Sequence, residues 1–272
     1  MKDEQQSRMR DCCFFKLMST LLSSLESGSL TLTLNRPERA NSFNLEMVGE
    51  LQRALTDAER DPQVRCIVIT GAGNVFSAGQ DISEMKQGGQ TSYREHLNRT
   101  YNPLILQIRG IGVPVLAAVN GACAGAALGI ALACDLRLAK SNAYFVVGFS
   151  GIGLAPDSGV SLLLPKYIGL GRAQSCFYTN KRISAYEAFE WGMLNQVGGF
   201  GFEKLTRRVA ASLAEGPAGA FALGKQAFNQ AILPNLKETL EHEGILQEQA
   251  GKSAEHWEGI AAFFGKRKAK FN

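Results

Sequence analysis

Pro114-Val115-Leu116-Ala117-Ala118-Val119-Asn120-Gly121-Ala122-Cys123-Ala124-Gly125-Ala126-Ala127-Leu128-Gly129-Ile130-Ala131-Leu132-Ala133-Cys134 reads as three elements in succession. Residues 114–119 are a short apolar run bounded by a glycine loop, the pattern of a buried strand. Residues 120–126 are the loop. Residues 126–134 are apolar all round and mostly small, which describes a helix buried between layers rather than one with a wet face. Upstream, Val64-Arg65-Cys66-Ile67-Val68-Ile69-Thr70 leads into a second small-residue loop, Phe76-Ser77-Ala78-Gly79-Gln80-Asp81. Downstream, 135–139 and 144–147 read as further strands. Strands alternating with helices point to an α/β fold.

The periodicity extends this frame in both directions. Leu30, Leu32 and Leu34 alternate with threonines, a half-buried strand. Leu45, Val48, Leu51 and Leu55 stand at helical spacing, so about 44–60 is a helix closed by Asp61-Pro62. Residues 81–86 begin a short helix, 87–93 read as mobile, and 94–110 as one helix. From Ser158 onward the pattern is almost wholly helical, with Ser184-Ala185-Tyr186-Glu187 as a capping box and later helices near 203–214, 219–231, 236–250 and 255–267. With no linker-like tract, the expectation is one domain over 21–272, its core in 21–200 and a helical region in 201–272. Residues 1–20 read as an extension, with Met18 an alternative start.

Composition narrows the function classes. Of 272 residues 45% are hydrophobic, enough for a full core, and a net charge of +4 is too small to argue for nucleic acid. No apolar stretch is both long and free of glycine, which argues against a membrane span. The six cysteines lack metal spacing, and reduced thiols in the cytoplasm are the default. Neither glycine loop fits a dinucleotide or phosphate fingerprint, and no serine stands in a Gly-x-Ser-x-Gly elbow. His96, His242 and His256 lie in charged stretches and read as solvated.

Taken singly, each loop reads equally well as a tight turn. Taken together they suggest a cradle for one carbonyl oxygen. Ala126 begins a buried helix, where N–H groups lack partners and the dipole favours negative charge. A lone acid follows, Asp157 in Gly153-Leu154-Ala155-Pro156-Asp157-Ser158-Gly159. A helix-capping role for Asp157 and Ser158 is the plain alternative. Yet Phe149, Ile152 and Leu154 are apolar neighbours that would raise its pKa toward that of a useful base.

These features resemble the enoyl-CoA hydratase/isomerase (crotonase) superfamily from about Leu30 onward. The likeness rests on Leu34-Asn35-Arg36-Pro37, Phe76–Asp81, Asn120-Gly121, Ala133-Cys134-Asp135, Gly153-Leu154 and Glu258-Gly259-Ile260-Ala261-Ala262-Phe263. It implies a crotonase-like ββα superhelix, or spiral, with a helical C-terminal region that assembles trimers or dimers of trimers. It implies an acyl-CoA thioester substrate, with no metal and no redox cofactor. The backbone N–H groups of Gln80 and Ala126 would form the oxyanion hole. Ala78, Gly79, Asp81, Ile82, Gly125 and Phe149 would border the thioester, and Arg39 with Lys270 in the basic tail would hold the nucleotide.

The departures matter as much. Aligned from Cys134-Asp135, the two hydratase glutamate positions are Gly129 and Phe149 here. Asp157 instead resembles the branch that moves double bonds, and within it the ring-1,2-epoxyphenylacetyl-CoA isomerases of phenylacetate breakdown. Leu162-Leu163-Leu164-Pro165, Trp191-Gly192-Met193 and Gln249-Ala250-Gly251-Lys252-Ser253-Ala254 share that likeness. The expected activity is acyl-CoA isomerisation with Asp157 as base and then acid. The alternatives are an enoyl-CoA hydratase of fatty-acid or aromatic-acid breakdown and a non-catalytic acyl-CoA-binding protein. Phe145, Phe149 and Tyr178 suggest room for an apolar, aromatic acyl group.

Overall fold

A computed structural model describes residues 19–87 and 92–271. Its strands fall into two sheets. The larger has six strands: β1 (Leu21–Glu26), β2 (Ser29–Leu34), β3 (Cys66–Gly71), β5 (Val115–Val119), β7 (Leu136–Lys140) and β10 (Gln196–Gly198), side by side in that order. The smaller has four: β4 (Val75–Ser77), β6 (Ala122–Ala124), β8 (Tyr144–Val146) and β9 (Ile183–Ser184). Only β1–β2 and β8–β9 pair antiparallel; the rest are parallel.

The chain visits the sheets in strict rotation. β3 enters the large sheet and β4 the small one, then helices follow; β5 and β6, then β7 and β8, repeat the move. Each turn is thus a strand, a second strand and a helix, wound into the expected spiral. Three helices follow β4: α2 (Ile82–Gln87), α3 (Tyr93–Arg99) and α4 (Tyr101–Gly110). α5 (Ala126–Ala133) follows β6, and α6 (Val160–Ile168) and α7 (Leu170–Thr179) follow β8. α1 (Leu45–Arg60) precedes β3, and α8 (Ala185–Glu190) lies between β9 and β10. The chain closes with α9 (Phe202–Ala214), α10 (Ala218–Ile232), α11 (Leu236–Gly251) and α12 (Ala254–Phe264).

Parallel strands buried on both faces explain the unbroken apolar runs. Ile67 and Ile69 face the main core with α1 and α5, while Cys66, Val68, Leu116 and Leu138 face α9 through Phe202, Ala210 and Ala214. Every residue of α5 is buried. α1 begins where the Asn44 side chain accepts the Met47 N–H, and it buries Met47, Val48, Leu51 and Leu55. Each such side chain contributes about 1.5–3 kcal/mol of burial.

Several elements differ from expectation. The helix expected over 94–110 is two, broken at Thr100, because Pro103 cannot sit deep in a continuous helix but fits the first turn of α4. Of the segment expected to be mobile, 88–91 lie outside the described residues, while Gln87 ends α2 and Ser92 caps α3. β1, β4, β6, β9 and β10 are strands the reading did not find. β1 has only Leu21 buried, so it carries no alternation. The other four are two or three residues long. Among the described residues no helix is long and apolar enough to cross a membrane.

Candidate active site

The strands of the small sheet set the site. β4, β6 and β8 are parallel neighbours, so the loops leaving their C-terminal ends emerge together. The loop after β4 is laced to residues 40–43: Ala78 N–H donates to Ala40 C=O (3.0 Å), Phe43 N–H to Gly79 C=O (2.8 Å) and Asp81 N–H to Phe43 C=O (2.9 Å). Gly79 N–H donates to Ser77 Oγ. The Gln80 N–H alone is left without an acceptor among the described residues. After β6, Ala126 opens α5, and its N–H is likewise unpaired. The loops touch. A methyl on Gly79, whose φ is +88°, would lie 2.6 Å from the Ala124 carbonyl oxygen and 3.4 Å from the Ala126 nitrogen. Only glycine allows this approach. A carbonyl oxygen lodged there could accept both free N–H groups.

Asp81 braces this loop. Its carboxylate takes Arg36 at 2.9 Å and the Ser83 hydroxyl at 2.6 Å. Burial opposes its ionisation, but hydrogen bonds from Ser83 and Arg36 outweigh this and hold its pKa below the ordinary value. Expected to border the substrate, Asp81 is thus occupied within the protein. Ile82, half-buried, begins α2, and Ala78 is exposed.

The loop after β8 carries Gly148 and Phe149 against the second loop; a methyl on Gly148 would lie 3.4 Å from the Gly125 nitrogen. Phe149 is buried. Phe145 is core, and Tyr178 is 72% exposed.

Asp157 is 6% exposed. Ser158 Oγ donates to its Oδ1 (2.7 Å) and Gln247 Nε2 to its Oδ2 (2.6 Å). Burial pushes the carboxyl up to about 6, and these two hydrogen bonds limit the rise. The capping alternative fails: Glu243 of α11 accepts from Gly159 N–H (2.8 Å) and Ser161 N–H (3.0 Å) at the start of α6. Burial lifts Glu243 to about 7. The loop rests on α5, where a methyl on Gly129 would lie 2.3 Å from the Ser158 carbonyl oxygen. Gly129 is three residues, about one turn, beyond Ala126. The residue after Asp157 thus packs against α5 about one turn beyond the free Ala126 N–H.

Other polar residues were not foreseen. The Tyr101 hydroxyl donates to Gln80 Oε1, and His96 Nε2 meets the same oxygen at 2.9 Å, so that nitrogen carries the proton. His256, expected in solvent, is fully buried. Its Nδ1 donates to the Ile152 carbonyl (2.8 Å), which leaves Nε2 to accept the Tyr93 hydroxyl. Helix packing between α12 and the 150–152 turn overrode the local charge around it. His242 is exposed as expected. Arg39 and Lys270 are both exposed, Arg39 on a turn after β2 and Lys270 on the tail, whose backbone N–H donates to Glu258 (2.8 Å).

A ββα spiral of parallel strands closed by a helical C-terminal region defines the crotonase fold class. The comparisons agree. The enoyl-CoA hydratase/isomerase family model matches residues 25–272. The chain is 40% identical over 259 residues to the 1,2-epoxyphenylacetyl-CoA isomerase of Escherichia coli K12, covering 94% of this chain and 99% of that protein. It is 39% identical to a "probable enoyl-CoA hydratase" of Rhodobacter capsulatus, covering 93% and 97%. The crystal structure of an enoyl-CoA hydratase from Mycobacterium avium subsp. paratuberculosis K-10 superposes with a TM-score of 0.85 at 36% identity, over 93% and 98% of the two chains. The chain belongs to the enoyl-CoA hydratase/isomerase family.

Proposed function

We propose that this protein is an acyl-CoA isomerase that shifts a double bond, or rearranges a ring-epoxide acyl group, through a thioester enolate. The N–H groups of Gln80 and Ala126 hold the thioester oxygen and stabilise its charge as the enolate forms. Asp157 removes a proton from the carbon next to the thioester and returns it at a carbon further along. Double-bond migration written this way balances with substrate and one carboxylate. Arg39 and the tail around Lys270, its own or a neighbour's, hold the nucleotide of coenzyme A.

The carrying observation is the Gly129–Ser158 contact. A hydratase-type acid at position 129 has no room, and position 149 holds Phe149. One carboxylate suffices to move a proton between carbons, whereas hydration also needs a group to place and activate water. Similarity to the Escherichia coli isomerase supports the reading, and an aromatic acyl group with it. Similarity to the Rhodobacter capsulatus protein favours a second reading, hydration through Asp157 and ordered water. A screen of 2-enoyl, 3-enoyl and ring-containing CoA thioesters separates them. Hydration adds the mass of one water, and isomerisation changes absorbance without changing mass. A product that has gained water from every accepted substrate would overturn the isomerase reading.

A further inference from the structure

We infer that Gln247, on α11, is a positioning residue for Asp157, so that the C-terminal helical region sets both the aim and the proton affinity of the carboxylate. The inference rests on the reading of Asp157 as the base. Gln247 is 1% exposed, and its amide bonds to the Asp157 loop through both its nitrogen and its oxygen. Nε2 donates to Asp157 Oδ2 at 2.6 Å, and Oε1 accepts the Ala155 N–H at 3.0 Å. Only this orientation works, because a backbone N–H needs an acceptor and an ionised carboxylate needs a donor. One side chain thus clamps the loop on both sides of Pro156.

The other titratable groups facing Asp157 leave this role to Gln247. Glu243, one turn earlier on α11, spends its oxygens on Gly159 and Ser161. Tyr101 of α4 feels the Asp157 charge, but its hydroxyl is given to Gln80. Among the described residues, the donors on Asp157 are Ser158 and Gln247. Both favour the ionised form, which is the form a base needs. A hydrogen bond to a charged group is strong enough that losing one raises the pKa by about one unit.

The test is the pH dependence of kcat/KM on a 3-enoyl-CoA for the full-length wild type, Gln247→Met, Gln247→Glu and Asp157→Asn. The acid limb of Gln247→Met should move up by about one unit, with activity recovered above it. In Gln247→Glu the Ala155 acceptor is kept but a second carboxylate replaces the donor, so the limb should move further. A merely structural role would lower kcat without moving the limb. In the wild type, the Gln247 side-chain amide nitrogen should titrate in NMR with the midpoint of the limb, a readout that needs no variant to fold. An unmoved limb in a folded variant, or a Gln247 amide that does not titrate, overturns the inference alone if Asp157→Asn is inactive. Normal activity in Asp157→Asn overturns the base assignment and this inference with it.

Discussion

The backbone of Ser158 occupies the space that a side chain on Gly129 would fill: a methyl there would lie 2.3 Å from the Ser158 carbonyl oxygen and 2.7 Å from its Cβ. Ser158 itself is held in the left-handed region at φ +56°, and it is fully buried. The Asp157 loop and a large residue at 129 are therefore mutually exclusive in this packing.

Gly129→Ala should destabilise the protein by about 1–3 kcal/mol, the usual cost of overpacking a filled core. It should also reduce turnover, because relief requires the 157–159 loop to move. Denaturant unfolding checks the first part and steady-state kinetics the second. A variant as stable and active as wild type would mean the loop yields freely.

Asp157 goes from an ordinary carboxyl value of 3.8 to about 6 on folding. The native state therefore holds the proton more tightly than the unfolded chain. Stability falls as pH rises between these values, and the whole cost is in place above about pH 6. A shift of about two units corresponds to about 3 kcal/mol at most. Asp157→Asn removes this cost. From about pH 4 to about pH 8, unfolding free energies should shift in the variant's favour by up to about 3 kcal/mol. A difference that stays flat with pH would show that the buried carboxylate is not under this strain.

Ala126→Pro deletes one free N–H at the first position of α5, where proline is well tolerated. Turnover should drop about 10²–10³-fold while the fold persists. Circular dichroism and kinetics on one preparation check both parts. Undiminished turnover by a folded variant would rule this donor out.

The last three helices leave Leu223, Phe228, Trp257 and Phe263 between 56% and 70% exposed. Large apolar side chains left exposed on these helices suit burial between protomers. Light scattering at micromolar concentration should give a trimer or a pair of trimers. A stable monomer would contradict this.

Much of this was legible in the sequence, and the reasons differ by element. The strand–loop–helix run 114–134 and the helix 45–60 announced themselves, because long buried elements must carry long apolar patterns. β1 could not be read from alternation, since it is the outermost strand of the large sheet and only Leu21 is buried. Its turn, Ser27-Gly28, has both residues at positive φ (48° and 79°), the tight hairpin geometry that a Ser-Gly pair signals. Asp157 was legible as a residue out of keeping with apolar neighbours, but its partner Gln247 lies 90 residues away. A signal existed there too. Leu236, Leu240, Glu243, Gln247 and Gly251 fall on one helical stripe, and the two polar members are buried with the leucines. Polar groups on a buried stripe need partners, and the partner here is the Asp157 loop.

The account stands on Asp157 carrying a proton from one carbon to another. The direct measurement compares two rates on one preparation, double-bond migration in a 3-enoyl-CoA and hydration of a short 2-enoyl-CoA, for wild type and Asp157→Asn. Wild type should isomerise faster than it hydrates. Asp157→Asn should keep binding CoA thioesters and lose about 10²–10⁴ in isomerisation rate. Faster hydration by the wild type, or normal isomerisation by Asp157→Asn, would contradict the account.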